Sequence, residues 1–186
     1  MLKHIIITGA SSGIGEALAV YYAKSSVILS LTGRNSERLD IVAEKCRVQG
    51  AHVSAKIIDV TDRENLAQWL MERDDVHPVD LIIANAGISA TLSGFADHQF
   101  EEQARHIFDV NVTGVFNTIY PLLPRMRTRK NGQIALISSV AAYAGWVGAS
   151  GYCGSKAAIR IYGEGLRAEL QSEGVRVNVI CPGFVR

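Results

Sequence analysis

The chain has 186 residues, 48% of them hydrophobic and 20% charged, with a formal net charge of +1. That length suits one domain with a sizeable core, and the apolar content excludes a disordered chain. Seventeen Gly against 4 Pro exclude collagen and a proline-rich linker, and near-neutral charge argues against a nucleic-acid partner, which selects a basic excess or stripe.

Short apolar runs alternate with helix-compatible stretches along the whole chain. His4–Thr8 is a β-branched run followed at once by a glycine-rich turn, and Ile14–Lys24 reads as a helix. Val27–Thr32 is a second strand; Ser36–Gln49 is a charged, amphipathic helix with Gly50 as its stop signal. Val53–Ile58 makes a third strand, and Arg63–Arg73 a helix whose Leu66, Trp69 and Leu70 share a face. Asp80–Ala84 is a fourth strand, and Glu101–Arg129 a long helical region that Pro121 and Pro124 should kink or interrupt. Gln133–Ser138, a helix over Tyr152–Gln171 and the strand Val175–Ile180 complete the series. Strands apolar throughout, joined by helix-length connections, indicate a parallel sheet covered on both faces. Right-handed crossovers then give a doubly wound, mostly parallel α/β fold. No linker, repeat or low-complexity block interrupts residues 1–186, which are read as one domain.

Cys46, Cys153 and Cys181 are odd in number, widely spaced and without a CxxC pair. A disulfide framework or a metal site is not expected, and a reducing compartment fits. The N-terminal apolar run is too short for a signal-peptide core, and nothing approaches the ~20 apolar residues of a membrane span. A soluble, cytoplasmic protein with no membrane partner is the expectation. The basic cluster Arg125, Arg127, Arg129 and Lys130 falls where a helix should end, where its cations complement the helix dipole.

Thr8-Gly-Ala-Ser-Ser-Gly-Ile-Gly15 joins the first strand to the first helix. Gly9 allows a tight exit from the strand; Gly13 and Gly15 allow close approach of backbone to ligand and of helix to sheet. The helix N-terminus then offers free N–H groups and partial positive charge to a pyrophosphate. The same residues match the nucleophile elbow G-x-S-x-G with Ser11 at its centre. Only eight residues precede Gly9, however, which leaves no room for an oxyanion loop upstream. His4, His52, His77, His98 and His106 lie in no triad context and read as surface or satisfied, partly buried histidines. A P-loop is poorer still, because no Gly-Lys-Ser/Thr follows the glycines.

The spacing of this turn, with three residues between its first two glycines, resembles the short-chain dehydrogenase/reductase family, and the family's other marks follow in order. Asn85-Ala86-Gly87 follows the fourth strand, Asn111 lies in the long helical region, and Ser139 follows the fifth strand. Tyr152 and Lys156 form the Y-x-x-x-K pair, and Pro182-Gly183 follow the sixth strand. The resemblance covers the whole chain and implies a Rossmann-like, nicotinamide-dependent oxidoreductase acting on a carbonyl or alcohol. On a helix Tyr152 and Lys156 share a face. A free phenol has a pKa of ~10, and a nearby ammonium favours its phenolate, so Tyr152 can exchange a proton with a carbonyl or alcohol oxygen. The family assigns the lysine also to the nicotinamide ribose hydroxyls. Ser139, thirteen residues before Tyr152, would hydrogen-bond the substrate oxygen and stabilise developing charge. By resemblance, Asn111 holds a water that links Lys156 to solvent.

The coenzyme site implied comprises Gly9, Ser11, Ser12, Gly13, Ile14, Gly15, Arg34, Asp59, Val60, Asn85, Ala86, Gly87, Tyr152, Lys156, Pro182 and Gly183. NAD-dependent folds usually place an acid after the second strand. This chain has Leu31-Thr-Gly33-Arg34-Asn35 there, and Arg34 can pair bidentately with a 2′-phosphate. NADP is therefore expected ahead of NAD, with Asp59-Val60 resembling the family's adenine-contacting pair. The alternatives are a catalytically silent nucleotide-binding regulator and a hydrolase using Ser11.

The loop Ala141–Gly151, with Tyr143 and Trp146, is expected to line the substrate pocket. The following helix carries Ala157, Ala158, Ile159, Ile161, Tyr162, Leu166, Ala168 and Leu170, more apolar residues than one sheet-facing stripe needs. With Gly163 and Gly165 permitting close approach, it points to a homodimer or homotetramer, as the family resemblance also implies. Family chains continue beyond the position of Arg186 through a substrate-covering segment and a further strand. A truncated domain is therefore expected, with Val175–Ile180 an exposed, strongly apolar edge and weak coenzyme binding if that segment is missing.

Overall fold

His4–Ile7 (β1) is buried along its whole length because it lies between Ile28–Gly33 (β2) and Leu81–Ala84 (β4), parallel to both. The computed structural model describes residues 2–89 and 97–185. Its sheet has six strands in the order β3-β2-β1-β4-β5-β6, with every neighbouring pair parallel. The remaining strands are His52–Ile57 (β3), Gly132–Ile137 (β5) and Val175–Ile180 (β6). The helices are Gly13–Tyr22 (α1), Ser36–Val48 (α2), Arg63–Val76 (α3), Asp97–Phe108 (α4), Gly114–Ile119 (α5), Leu123–Arg129 (α6) and Ser150–Leu170 (α7).

The continuous apolar runs have a direct cause. Alternate residues of β1 enter different cores: Ile6 joins Ile82, Ile134, Leu136 and Trp69 on one face, while Ile5 and Ile7 join Leu29, Leu31 and Leu39 on the other. Both faces of the sheet are covered, so neither can carry polar side chains cheaply. The chain builds outward from β1 to β3, then returns to β4 on the other side of β1 and builds outward to β6. That reversal opens a crevice beyond the C-terminal ends of β1 and β4, where such sheets bind ligands.

Glu101–Arg129 is interrupted more often than its two prolines indicate. A π-helical turn over Asp109–Thr113 separates α4 from α5, and a break at Tyr120–Leu122 separates α5 from α6, which takes Pro124 into its first turn. The basic cluster at the end of α6 does more than complement a dipole. Arg125 Nη1 and Arg129 Nη1 lie 3.1 and 2.8 Å from Asp74 Oδ2 on α3, and Asp74 Oδ1 accepts from Val79 N at 2.8 Å. Arg127 pairs with Glu173. These cations clamp α6 onto its neighbours.

His4 is buried and satisfied, with Nδ1 2.6 Å from His77 O and Nε2 2.8 Å from Ser30 Oγ. The side chain of His98 lies outside the described residues. No described helix is long and apolar enough to cross a membrane.

Two expectations about packing are corrected. β6 is the edge strand, as expected, but is less apolar at its surface: Val175 and Val177 are buried under α7, while Arg176 and Asn178 are exposed beside Ile180. Its edge is also blunted, because Arg167 Nε donates to Val177 O at 2.8 Å. Gly163 serves the chain's own sheet rather than a partner, since a Cβ there would lie 2.4 Å from Val179 Cγ2 and 2.7 Å from Leu136 Cδ1. Ile159, Leu166 and Leu170 are likewise buried within the fold, whereas Ile161 and Ala168 face solvent.

Candidate active site

The crevice is a cleft of about 510 Å³, large enough for a dinucleotide-sized ligand. Every described residue expected at the site lines it except Gly15 and Asn111, which stand directly behind its wall.

At one side of the cleft the β1–α1 turn is held by its glycines. Gly9 has φ +66°, and a Cβ on it would lie 2.7 Å from Ala86 Cα. At Gly15 a Cβ would lie 2.2 Å from Gly9 O, so α1 could not approach the turn. Gly13 has φ +57° but faces open space, as a residue beneath a ligand would. The Ser12 hydroxyl does not cap α1, leaving the first N–H groups of the helix available at the cleft. Asn85 and Ala86 brace the turn: Asn85 Nδ2 donates to Thr8 O (3.0 Å) and Gly9 O (3.1 Å), and both backbone amides donate to Thr8 Oγ1.

At the far end of β2, Arg34 is 57% exposed and its Nη1 lies 3.6 Å from Asp59 Oδ2. Burial pushes the Asp59 carboxyl up, but hydrogen bonds from Thr61 N and Oγ1 and the charge of Arg34 outweigh it and leave it below its usual range. Arg38, one helical turn along α2, lines the same corner. Sequence reasoning missed it, although its i, i+4 spacing from Arg34 was visible.

The opposite end is formed by β5 and α7. Ser139 is extended, begins a 3₁₀ turn over Val140–Tyr143, and its Oγ accepts from Ala141 N at 3.1 Å. Its own hydroxyl proton stays available to the cleft. Lys156 is buried, with Nζ donating to Ile137 O at 2.9 Å and lying 5.8 Å from the centre of the Tyr152 ring. Burial lowers the Lys156 ammonium from its ordinary value to about 8. The geometry thus places a cation with little solvent beneath the phenol.

Asn111 sits in the π-helical turn, fully enclosed. Its Oδ1 accepts from Ile88 N at 2.8 Å, and its Nδ2 donates to Ile88 O (2.9 Å) and Ser155 Oγ (3.0 Å). Gly87 admits this packing: a Cβ there would lie 3.1 Å from Asn111 Oδ1 and 3.3 Å from Lys156 Nζ. Two further serines, not expected from sequence, fix the α7 turn. Ser155 Oγ donates to Tyr152 O and Ser138 Oγ to Lys156 O, both at 2.8 Å. Neither stood out, because a buried serine in a helix and one at a strand end read as ordinary packing. Pro182 and Gly183 close the wall, tied to the loop after Ser139 by Val140 N donating to Pro182 O at 3.0 Å.

Known proteins share this fold. The sequence profile of the short chain dehydrogenase family matches residues 3–186. An uncharacterized oxidoreductase of Myxococcus xanthus is 36% identical over 182 residues, which is 97% of this chain and 71% of that protein. Among solved structures, NAD+-bound xylitol dehydrogenase superposes with a TM-score of 0.89 at 28% identity, over 98% of this chain and 70% of its own. A metagenomic short-chain oxidoreductase in complex with NADP gives 0.88 at 25% identity, over 99% and 82%. With the profile spanning nearly every residue and the cleft built from the residues that the motifs marked, the chain belongs to the short-chain dehydrogenase/reductase family of oxidoreductases.

Proposed function

We propose that this oxidoreductase exchanges hydride between NADP(H) and a carbonyl or alcohol, with Tyr152 as the acid/base. The observation that carries the reading is the buried Lys156 Nζ beneath the Tyr152 ring, on one wall with Ser139 at the end of a dinucleotide-sized cleft.

When bound, the coenzyme supplies or accepts the hydride. The chain does the rest. The α1 N-terminus and the open backbone at Gly13 would hold the pyrophosphate, and Arg34 and Arg38 the 2′-phosphate. Ser139 Oγ–H donates to the substrate oxygen and stabilises the negative charge that develops there. Tyr152 delivers its phenolic proton to that oxygen, and the Lys156 ammonium stabilises the phenolate left behind. Lys156 would also hold the ribose hydroxyls, and the proton would return to Tyr152 through Lys156 with Asn111 positioning the relay.

NADP is favoured because β2 ends in Gly33 with no carboxylate to meet a ribose 2′-hydroxyl, while two arginines line that corner. Three free cysteines among the described residues accord with a cytoplasmic setting. A homodimer or homotetramer is proposed from the outward face of α7.

Incubation of the protein with NADPH and simple ketones tests the reading. Stoichiometric NADPH consumption with alcohol formation is expected. Tight NADPH binding with no ketone reduced would favour a silent nucleotide-binding protein instead.

A further inference from the structure

We propose, resting on the reductase reading above, that Ser155 is a positioning residue: its buried hydroxyl joins the Asn111 amide to the Tyr152 carbonyl and so fixes where the phenol stands over Lys156. Ser155 is fully buried in α7 and does not line the cleft, so it acts through Tyr152 rather than on a ligand. A serine inside a helix is ordinarily satisfied by one bond to a carbonyl three or four residues earlier. Ser155 has that bond, with Oγ donating to Tyr152 O at 2.8 Å. It also has a second one that an ordinary helix serine lacks. Its Oγ accepts from Asn111 Nδ2 at 3.0 Å, across a separation of 44 residues.

The far end of this chain of bonds reaches the opposite side of the cleft. Asn111 Oδ1 accepts from Ile88 N at 2.8 Å, and Nδ2 donates to Ile88 O at 2.9 Å as well as to Ser155. Both amide protons and the amide oxygen are thus committed to protein partners. Ile88 lines the cleft after β4, and Tyr152 lines it on α7. The bonds connecting them pass behind Gly87, where an added Cβ would lie 3.1 Å from Asn111 Oδ1 and 3.3 Å from Lys156 Nζ. Asn111 is brought to this place by a π-helical turn, an uncommon conformation that concentrates at functional sites.

Lys156 is held independently. Ser138 Oγ donates to its carbonyl at 2.8 Å, and its Nζ donates to Ile137 O at 2.9 Å, so β5 grips the lysine at both ends. Loss of the Ser155 hydroxyl therefore leaves the ammonium in place and frees the turn that carries the phenol. The Tyr152 ring centre lies 5.8 Å from Nζ. Drift of the ring weakens the support of the ammonium for the phenolate, and takes the proton out of hydrogen-bond reach of the substrate oxygen. A misplacement of about 1 Å can cost about 10²-fold in rate. Coenzyme affinity is unaffected, because Ser155 holds none of the residues assigned to the phosphates and leaves Lys156 anchored.

The test measures kcat and NADPH affinity of the full chain with whichever of cyclohexanone, acetophenone and ethyl acetoacetate the parent reduces fastest. Turnover is expressed per NADPH-binding site, counted by fluorescence titration, so that a misfolded fraction does not lower it. Ser155→Ala should reduce kcat by about 10–100-fold and leave NADPH affinity unchanged. Ser155→Cys, a weaker donor of similar size, should fall between it and the parent. A kcat for Ser155→Ala within a few-fold of the parent overturns the proposal while leaving the reductase reading intact. So does a fall in kcat accompanied by an equal loss of NADPH affinity, which would make Ser155 part of the general fabric of the site. Should the Ala variant lose its circular dichroism, the Cys variant is read in its place by the same criteria, and unfolding of both overturns the proposal. If the parent binds NADPH but reduces none of the three ketones, the reductase reading itself fails and this proposal with it.

Discussion

Tyr152 and Lys156 divide the chemistry between a proton and a charge, and their variants should separate accordingly. Tyr152→Phe keeps the ring above Lys156 but loses the transferable proton. Turnover should fall by about 10²–10⁴-fold with NADPH binding nearly unchanged, as measured by single-turnover kinetics and coenzyme fluorescence. Activity within a few-fold of the parent would reject Tyr152 as the acid. Arg34→Ala should weaken NADPH by about 10–100-fold and NADH hardly at all, since charge-assisted hydrogen bonds contribute about 1.5–3 kcal/mol. Equal weakening of both coenzymes would instead assign the cleft to NAD. Lys156 also marks the pH response of the ligand-free protein. Its burial lowers the ammonium from 10.5 to about 8, so between those values the unfolded chain holds the proton that the folded chain has lost. Stability from this group therefore rises with pH across that window. Lys156→Met should flatten the rise in thermal melts taken between about pH 8 and pH 10.

The junction of α3 and α6 depends on one buried carboxylate. Asp74 has 3% of its side chain exposed and receives Arg125, Arg129 and the Val79 amide. Burial pushes its carboxyl up, but those hydrogen bonds prevail and hold it below the usual range. Removing one partner of a buried pair costs about 3–5 kcal/mol, and the partly exposed arginines place this site near the lower end. Asp74→Ala should thus lower Tm by about 6–12 °C at pH 7. The stabilisation is complete above the ordinary carboxylate range and is lost as pH falls through the depressed folded value. The gap between parent and variant should accordingly narrow below about pH 4. A gap that stays constant from pH 7 to pH 3 would show that the loss is packing rather than charge.

At the scale of the molecule, the outward face of α7 bears on association. On α7, Ile161 stands exposed, and near it Tyr162 packs on Phe116 with its hydroxyl 3.0 Å from that of Tyr120. The apolar surplus that sequence assigns to a partner is smaller than it looked, because Gly163, Ile159, Leu166 and Leu170 all serve the chain's own sheet. A dimer built on α7 must therefore use Ile161, Gly165 and Ala168, which face outward. Sedimentation should show a dimer or tetramer at micromolar concentration, and Ile161→Glu should shift it to monomer. Monomer alone in the parent would count against association through this helix.

Parallel pairing, the doubly wound fold class and most of the cleft were legible in the chain itself, because apolar runs, glycine spacing and the i, i+4 pair are local facts; the order of the strands was not. Gly9 had to be small whatever packed on it, and Tyr152 had to share a face with Lys156 once the segment was helical. Other features needed residues far apart in sequence to meet. Only the folded chain shows that Asn111 sits in a π-helical turn behind Gly87 and that Ser155 joins it to the turn bearing Tyr152. It alone shows that the basic run of α6 is neutralised by Asp74 and Glu173, and that Trp146 lies against Phe184. Periodicity reports which way a side chain points. What it meets there is set by the approach of a second element, and that is decided in three dimensions.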